Sequence, residues 1–327
     1  MHLFVTCMNH SRISGFLTLL LLILLPSISC FSADADHKTR LVLLGTGTPQ
    51  PDPDRSGAAT AVVVNGNAYL VDFGPGVVRR AAAAQRDRGV RELAPTNIRV
   101  VFATHLHSDH TAGYPDLLLT PWTMGRNRPL EIYGPSGLKN MTDHILQAYR
   151  EDIAIRRDGM EQESPEGIMV NVHEIKAGVV YKDENVTVTA FPTRHGGWKE
   201  SYGYRFDTAD RSIVISGDTT PQQSTINACN GCDILLHEAQ TMKFLRNPLR
   251  PNAQGYDIKA YVAAYHTTTE QLVELAAKAK PKLLLLYHNP ITLVPEKRPF
   301  ASTADDLLQE MKAYKGKIAV GRDLDIY

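Results

Sequence analysis

The run Thr104-His105-Leu106-His107-Ser108-Asp109-His110 sets three imidazoles and a carboxylate within six residues. Imidazole nitrogen suits zinc, and a carboxylate oxygen can serve a harder or a second cation. An apolar strand pattern, Ile98 to Ala103, leads directly into the run. The donors are therefore presented from a strand end, unlike a compositional histidine tract. Single histidines later in the chain carry less weight, because an imidazole after a strand is more often a hydrogen-bonded core residue. His144 in an amphipathic helix pattern and His173 among polar strand residues read as solvated or locally paired.

The elements that must position these residues alternate along the chain. Leu41 to Leu44 reads as a strand entering the glycine loop Gly45-Thr46-Gly47-Thr48-Pro49. Strands over Ala61 to Val64 and Ala68 to Val71 meet at Asn65-Gly66-Asn67, a hairpin signal, and end at Asp72-Phe73-Gly74-Pro75-Gly76. Helices are predicted over Val77 to Arg88, from Leu138 to about Arg150, over Thr268 to Lys278 and over Thr303 to Tyr314. Further strands are predicted at 130–133, 170–175, 186–191, 201–206, 212–216, 234–236 and 283–287. Strands and helices alternating in two successive halves, with meanders in each, favour a layered α/β sandwich.

Four stretches together carry a family resemblance: Leu44-Gly45-Thr46-Gly47-Thr48-Pro49, Asp72-Phe73-Gly74-Pro75-Gly76, the His/Asp run, and Gly217-Asp218-Thr219. The chain resembles the metallo-β-lactamase superfamily, and within it the branch holding ribonuclease Z and a group of bacterial arylsulfatases. The resemblance implies a four-layer αββα sandwich with two metal ions. It implies His105, His107 and His195 as ligands of one ion and Asp109, His110 and His288 as ligands of the other. Asp218 would bridge them, and Asp72 would orient a ligand imidazole. It also implies that His266, in Tyr265-His266-Thr267, protonates the leaving group with support from Glu238 in His237-Glu238-Ala239. Thr267 or Thr268 is placed to cap the helix that follows.

Two cations held close together acidify water toward neutrality, so hydrolysis needs no strong protein base. Asp109 would orient the attacking water. The resemblance implies two zinc ions and often a homodimer, and His/Asp ligation also tolerates Mn2+ or Fe2+. Ribonuclease Z carries a substrate arm between the counterparts of His195 and Asp218, whereas only 22 residues separate them here. Lys plus Arg equals Asp plus Glu at 35 each, so no net charge draws the chain to nucleic acid, although a local basic groove stays open. The expectation is therefore a small-molecule sulfate or phosphate ester as substrate, with nucleic acid unsuited. A ribonuclease Z-type endonuclease, a lactonase or β-lactamase, and an oxidoreductase of the same fold are the alternatives.

Arg12 ahead of an apolar run from Phe16 to Leu25, then Pro26 and small residues, reads as a signal peptide over residues 1–35. The run is too short to span a bilayer comfortably, so no stable membrane insertion is expected after cleavage. Residues 36–327 then form one hydrolase domain, periplasmic or secreted, with lipid attachment at Cys30 a minor alternative. Cys229 and Cys232 could form a local disulfide in an oxidising compartment. A zinc half-site or a redox centre would need a context these cysteines lack.

Overall fold

A computed structural model describes residues 38–246, 257–296 and 301–327. The signal peptide, its boundary at residue 35 and Cys30 lie outside the described residues. So does most of the Phe244 to Tyr256 stretch, which reads from sequence as a loop bordering the site.

The first sheet orders its strands as in the sequence: β1 (Thr39–Gly45), β2 (Ala59–Val64), β3 (Asn67–Val71), β4 (Val100–Phe102), β5 (Leu130–Gly134) and β6 (Val170–Glu174). Helices α1 (Val77–Arg88), α2 (Ser108–Thr111), α3 (Tyr114–Thr123), α4 (Leu138–Ala148) and α5 (Arg150–Asp158) accompany it. The second sheet runs from β7 (Gly178–Lys182) through β8 (Thr187–Pro192), β9 (Tyr202–Asp207), β10 (Ser212–Ile215), β11 (Ile234–Glu238) and β12 (Leu283–Tyr287) to β13 (Ile318–Val320). Its helices are α6 (Gln223–Cys229), α7 (Met242–Arg246), α8 (Ile258–Tyr265), α9 (Thr269–Ala279) and α10 (Ala304–Glu310).

Strands β1 and β12 carry unbroken apolar runs, Leu41 to Leu44 and Leu283 to Leu286, because both of their faces are covered. In β1, Leu41 and Leu43 enter the core between the sheets, while Val42 and Leu44 enter the core beneath α1, α3 and α4. In β12, Leu285 and Tyr287 face the inter-sheet core, and Leu284 and Leu286 pack with α9 and α10. The result is the αββα sandwich of the metallo-β-lactamase fold. The C-terminal segment covers the outer edge of β1, with Leu41 N–H donating to Tyr327 O and Leu43 N–H to Asp325 O.

Local chemistry sets the details. Asn65 and Gly66 both adopt positive φ, 47° and 81°, the two-residue turn that matches strand twist. Thr268 caps α9 and Thr303 caps α10, each through a capping box. Cys229 and Cys232 form a disulfide at the end of α6. The helix expected from Leu138 to about Arg150 is α4, which ends at Ala148, and an additional helix, α5, follows it from Arg150. The short elements α2, α6, β7 and β13 carry too few residues for a periodic signal. No helix among the described residues is long and apolar enough to cross a membrane.

Candidate metal centre

Most site residues sit at the C-terminal end of a strand or in the loop that follows it; Asp109 and His110 lie in the short helix α2 just beyond β4, and His266 follows α8. In the first half the organiser is Asp72, just past β3 and held at φ 61°. Its Oδ1 accepts the Thr104 N–H at 2.8 Å, and its Oδ2 accepts the Thr104 hydroxyl at 2.9 Å. The Nδ1–H of His110 donates to Oδ2 at 2.8 Å, which leaves Nε2 to face the centre. Thr104 lies 3.0 Å from His105 Nδ1, turning His105 Nε2 inward in the same way. The loop is tied across to the second sheet by Tyr202 N–H on Thr104 O and by the Tyr204 hydroxyl on Ala103 O, 2.7 Å.

The second half supplies its groups one strand at a time. His195 follows β8, and its Nδ1 donates to Tyr265 O at 2.7 Å. Asp218 follows β10 after Gly217, where φ is 61° and an added Cβ would meet Thr104 at 2.9 Å, so only glycine permits this approach. His288 follows β12, and its Nδ1 donates to Gly47 O at 2.6 Å. The Trp198 indole N–H donates to His107 Nε2 at 2.9 Å, so that ring presents Nδ1.

These constraints bring the donor atoms together in two groups. His105, His107, His195 and Asp218 offer ligand atoms within 4.8 Å of one another, and so do Asp109, His110 and His288. His105 Nε2 and His195 Nε2 each lie 3.0 Å from His107 Nδ1. Nitrogens bound tetrahedrally to one zinc sit about 3.3 Å apart, so the set is close to a ligand cage. Asp218 links the groups: Oδ1 is 3.3 Å from His110 Nε2, and Oδ2 is 3.3 Å from His288 Nε2 and 3.8 Å from His195 Nε2. His288 Nε2 is also 3.4 Å from Asp109 Oδ2.

Whether cations fit is decided by atoms left over. Asp109 Oδ2, His110 Nε2 and Asp218 Oδ1 are buried, converge on one point and have no hydrogen-bond partner. Unpaired buried polar atoms are costly unless something compensates them. Burial holds His105 well below the usual imidazole range and His195 at about 4, leaving neutral donors. Burial opposes ionisation of Asp218 too, but His288 and His110 outweigh it and keep the carboxylate charged. The donor set therefore fits a pair of divalent cations.

Glu238 ends β11 and is fully buried; His266 follows α8. His266 Nδ1–H donates to Glu238 Oε1 at 2.9 Å, and Thr219 N–H donates to the same oxygen at 3.0 Å. Burial disfavours the imidazolium, yet the adjacent carboxylate overrides it and raises His266 to about 9. His107, Asp109, Asp218, His266 and His288 share a cleft of about 300 Å³.

The structure thus brings together all seven expected ligands, Asp72, and the Glu238–His266 pair. His144 stays outside, bonded to Asn140 O, and His173 pairs with Glu131 at 2.8 Å. His237 is buried with its Nδ1 donating to Glu238 O, and it adds no atom to either ligand group. Trp198, Tyr265 O and Gly47 O are contributors that sequence reasoning missed. Two of them act through backbone carbonyls, which leave no side-chain signal.

The sequence profile of the beta-lactamase superfamily domain matches residues 67–289. A protein from Mycobacterium sp. (strain KMS) named Ribonuclease Z is 34% identical over 273 residues, covering 82% of this chain and 88% of that protein. The metallo-β-lactamase fold protein YhfI from Bacillus subtilis superposes with a TM-score of 0.64 at 16% identity, covering 88% of this chain and 98% of that one. The short form of human tRNase Z superposes with a TM-score of 0.62 at 23% identity, with the same two coverages. This chain belongs to the metallo-β-lactamase superfamily and, within that superfamily, to the hydrolase branch that contains ribonuclease Z.

The likeness to proteins named Ribonuclease Z corrects two expectations: the small sulfate or phosphate ester as substrate, and nucleic acid as an unsuited partner. The short link between His195 and Asp218 is real, with β9 and β10 joined by the tight turn 208–211. It does not exclude the ribonuclease branch, because the mycobacterial alignment takes in 82% of this chain across 273 residues and leaves no space for a long insertion. Balanced net charge also says nothing about where the charges lie.

Proposed function

We propose that this chain is a metal-dependent hydrolase of RNA phosphodiester bonds, of the ribonuclease Z type. The observation that carries the reading is the 34% identity to the mycobacterial Ribonuclease Z over 88% of that protein's length. His105, His107 and His195 would hold one cation and Asp109, His110 and His288 the other, with Asp218 between them. The nitrogen-rich donor set favours zinc, and manganese or iron would also be accepted. Bound there, two cations acidify water and neutralise charge developing on phosphorus.

The chain's own residues supply the rest. Asp109 lies at the cleft wall, placed to orient the attacking water. Glu238 fixes the His266 tautomer so that Nε2–H faces the cleft, where it can protonate the departing alkoxide. Pro49, Tyr261, Val262 and Pro290 give the same cleft apolar walls against which a base can lie. For location, the apolar N-terminal run supports export, and the Cys229–Cys232 disulfide accords with an oxidising compartment.

Metal-loaded protein incubated with a labelled precursor RNA and with an aryl sulfate tests the reading. RNA cleavage that chelator abolishes is expected. Turnover of the aryl sulfate with intact RNA would overturn it.

A further inference from the structure

A second cleft, of about 410 Å³, opens at the other end of the first sheet, around Asn67 at the start of β3 and Arg99 just ahead of β4. Asn97, Arg126, Asn127 and Arg128 complete its polar wall, and no carboxylate lines it. Arg126 is the unusual member, at 2% exposure. Its guanidinium donates to Gly167 O at 3.0 Å, to Leu117 O at 3.0 Å and to Leu118 O at 2.8 Å, all neutral acceptors. Among the described residues no carboxylate lies within ion-pair distance of Arg126, Arg99 or Arg128. Burial lowers Arg126 only to about 10, so it stays charged near neutrality.

A buried cation with neutral partners alone is costly, and buried charges are ordinarily compensated. The other strongly buried arginine, Arg55, also donates only to neutral acceptors, among them Asn289 O and Ile291 O, but the charges of Asp323 and Asp52 act on it from further away. At the second cleft the compensating anion is missing from the protein. Arg99 and Arg128 add two exposed guanidinium groups and Asn127 a side-chain amide, while the amides of Asn67 and Asn97 already donate to Asn65 O and Arg91 O. Planar guanidinium donors match phosphate oxygens in paired hydrogen bonds.

We propose that this cleft binds phosphate groups, and that in the working enzyme it holds RNA backbone away from the scissile bond. The RNA part rests on the ribonuclease reading above; the phosphate part does not. β3 connects the two places directly, from Asn67 at the cleft to Asp72 at the metal centre. At roughly 3.3 Å per strand residue the separation is about 16 Å. The net charge of the chain is zero, yet this cleft concentrates cations as an RNA anchor requires.

The test is the double variant Arg99→Glu with Arg128→Glu, both surface positions, in metal-loaded full-length protein. Lys312→Glu with Lys315→Glu changes the net charge equally elsewhere and serves as control. Inorganic phosphate should raise the melting temperature of wild type and control more than that of the Arg variant, in which only the metal centre remains to take it. KM for a structured RNA should rise at least tenfold in the Arg variant only. Its plot of log affinity against log salt should flatten by about 1.4 to 1.8, the loss of two phosphate contacts to single-stranded or duplex nucleic acid. A reduced phosphate effect with unchanged RNA affinity supports the phosphate site and overturns RNA as its ligand. A reduced phosphate effect in a protein that cleaves no RNA would sink the ribonuclease reading and leave the cleft standing. Identical behaviour of wild type and the Arg variant in both assays overturns the proposal.

Discussion

The two halves of the sandwich build their shares of the centre by different means. The first sheet delivers His105, His107, Asp109 and His110 from one loop, folded on a single carboxylate, Asp72, by hydrogen bonds of 2.8 to 2.9 Å. The second sheet delivers His195, Asp218, Glu238 and His288 from the ends of β8, β10, β11 and β12, with His266 added from beyond α8. One share is a local motif; the other is a product of strand register. Damage to the loop should therefore act on metal binding with the fold intact. Damage in the second half should couple chemistry to packing.

Asp218 is where the two halves meet, so its loss should be the largest effect. Asp218→Ala should lower RNA cleavage by at least about 10³-fold, the scale of removing a central electrostatic group. A loss below tenfold would mean that the two donor groups work independently. His266→Ala comes next, on the order of 10² to 10⁴-fold, the usual contribution of a general acid. Because Glu238 holds His266 above the usual imidazole range, its acid form persists at neutral pH and activity should fall as the pH rises through its pKa. Glu238→Gln removes the carboxylate that raises this pKa, so the falling limb of the pH–rate profile should move to lower pH. An unmoved limb would assign the pH dependence to another group.

Asp72→Ala probes the local motif. It should weaken metal affinity about 10- to 100-fold, as loss of a ligand-orienting carboxylate typically does. Circular dichroism should be unchanged, and a collapse of the fold would erase the contrast between the halves. The smallest effect concerns the second half. Thr268→Ala removes the cap of α9 beside His266 and should cost about 1 kcal/mol. For a chain of this size that is about 1–2 °C of melting temperature, measurable by calorimetry.

The same contrast explains what the sequence made legible. Three imidazoles and a carboxylate in six residues announce themselves, and the apolar strands that carry them read clearly because both faces are buried. His195 and His288 carry little weight singly, since their proximity depends on the order of strands in a sheet. Gly47 O and Tyr265 O, which set the tautomers of His288 and His195, were invisible because every residue has a carbonyl. The substrate expectation failed for a different reason. A missing arm and a zero net charge are properties of the whole chain, whereas the arginines beside Asn67 are a property of one cleft.

The central claim is that Asp218 joins two donor groups into one binuclear centre. Counting metal per chain by inductively coupled plasma mass spectrometry, in wild type and in Asp218→Ala, addresses it most directly. Wild type should hold two ions per chain and the variant one or none. One ion in wild type, or two retained in Asp218→Ala, would contradict it.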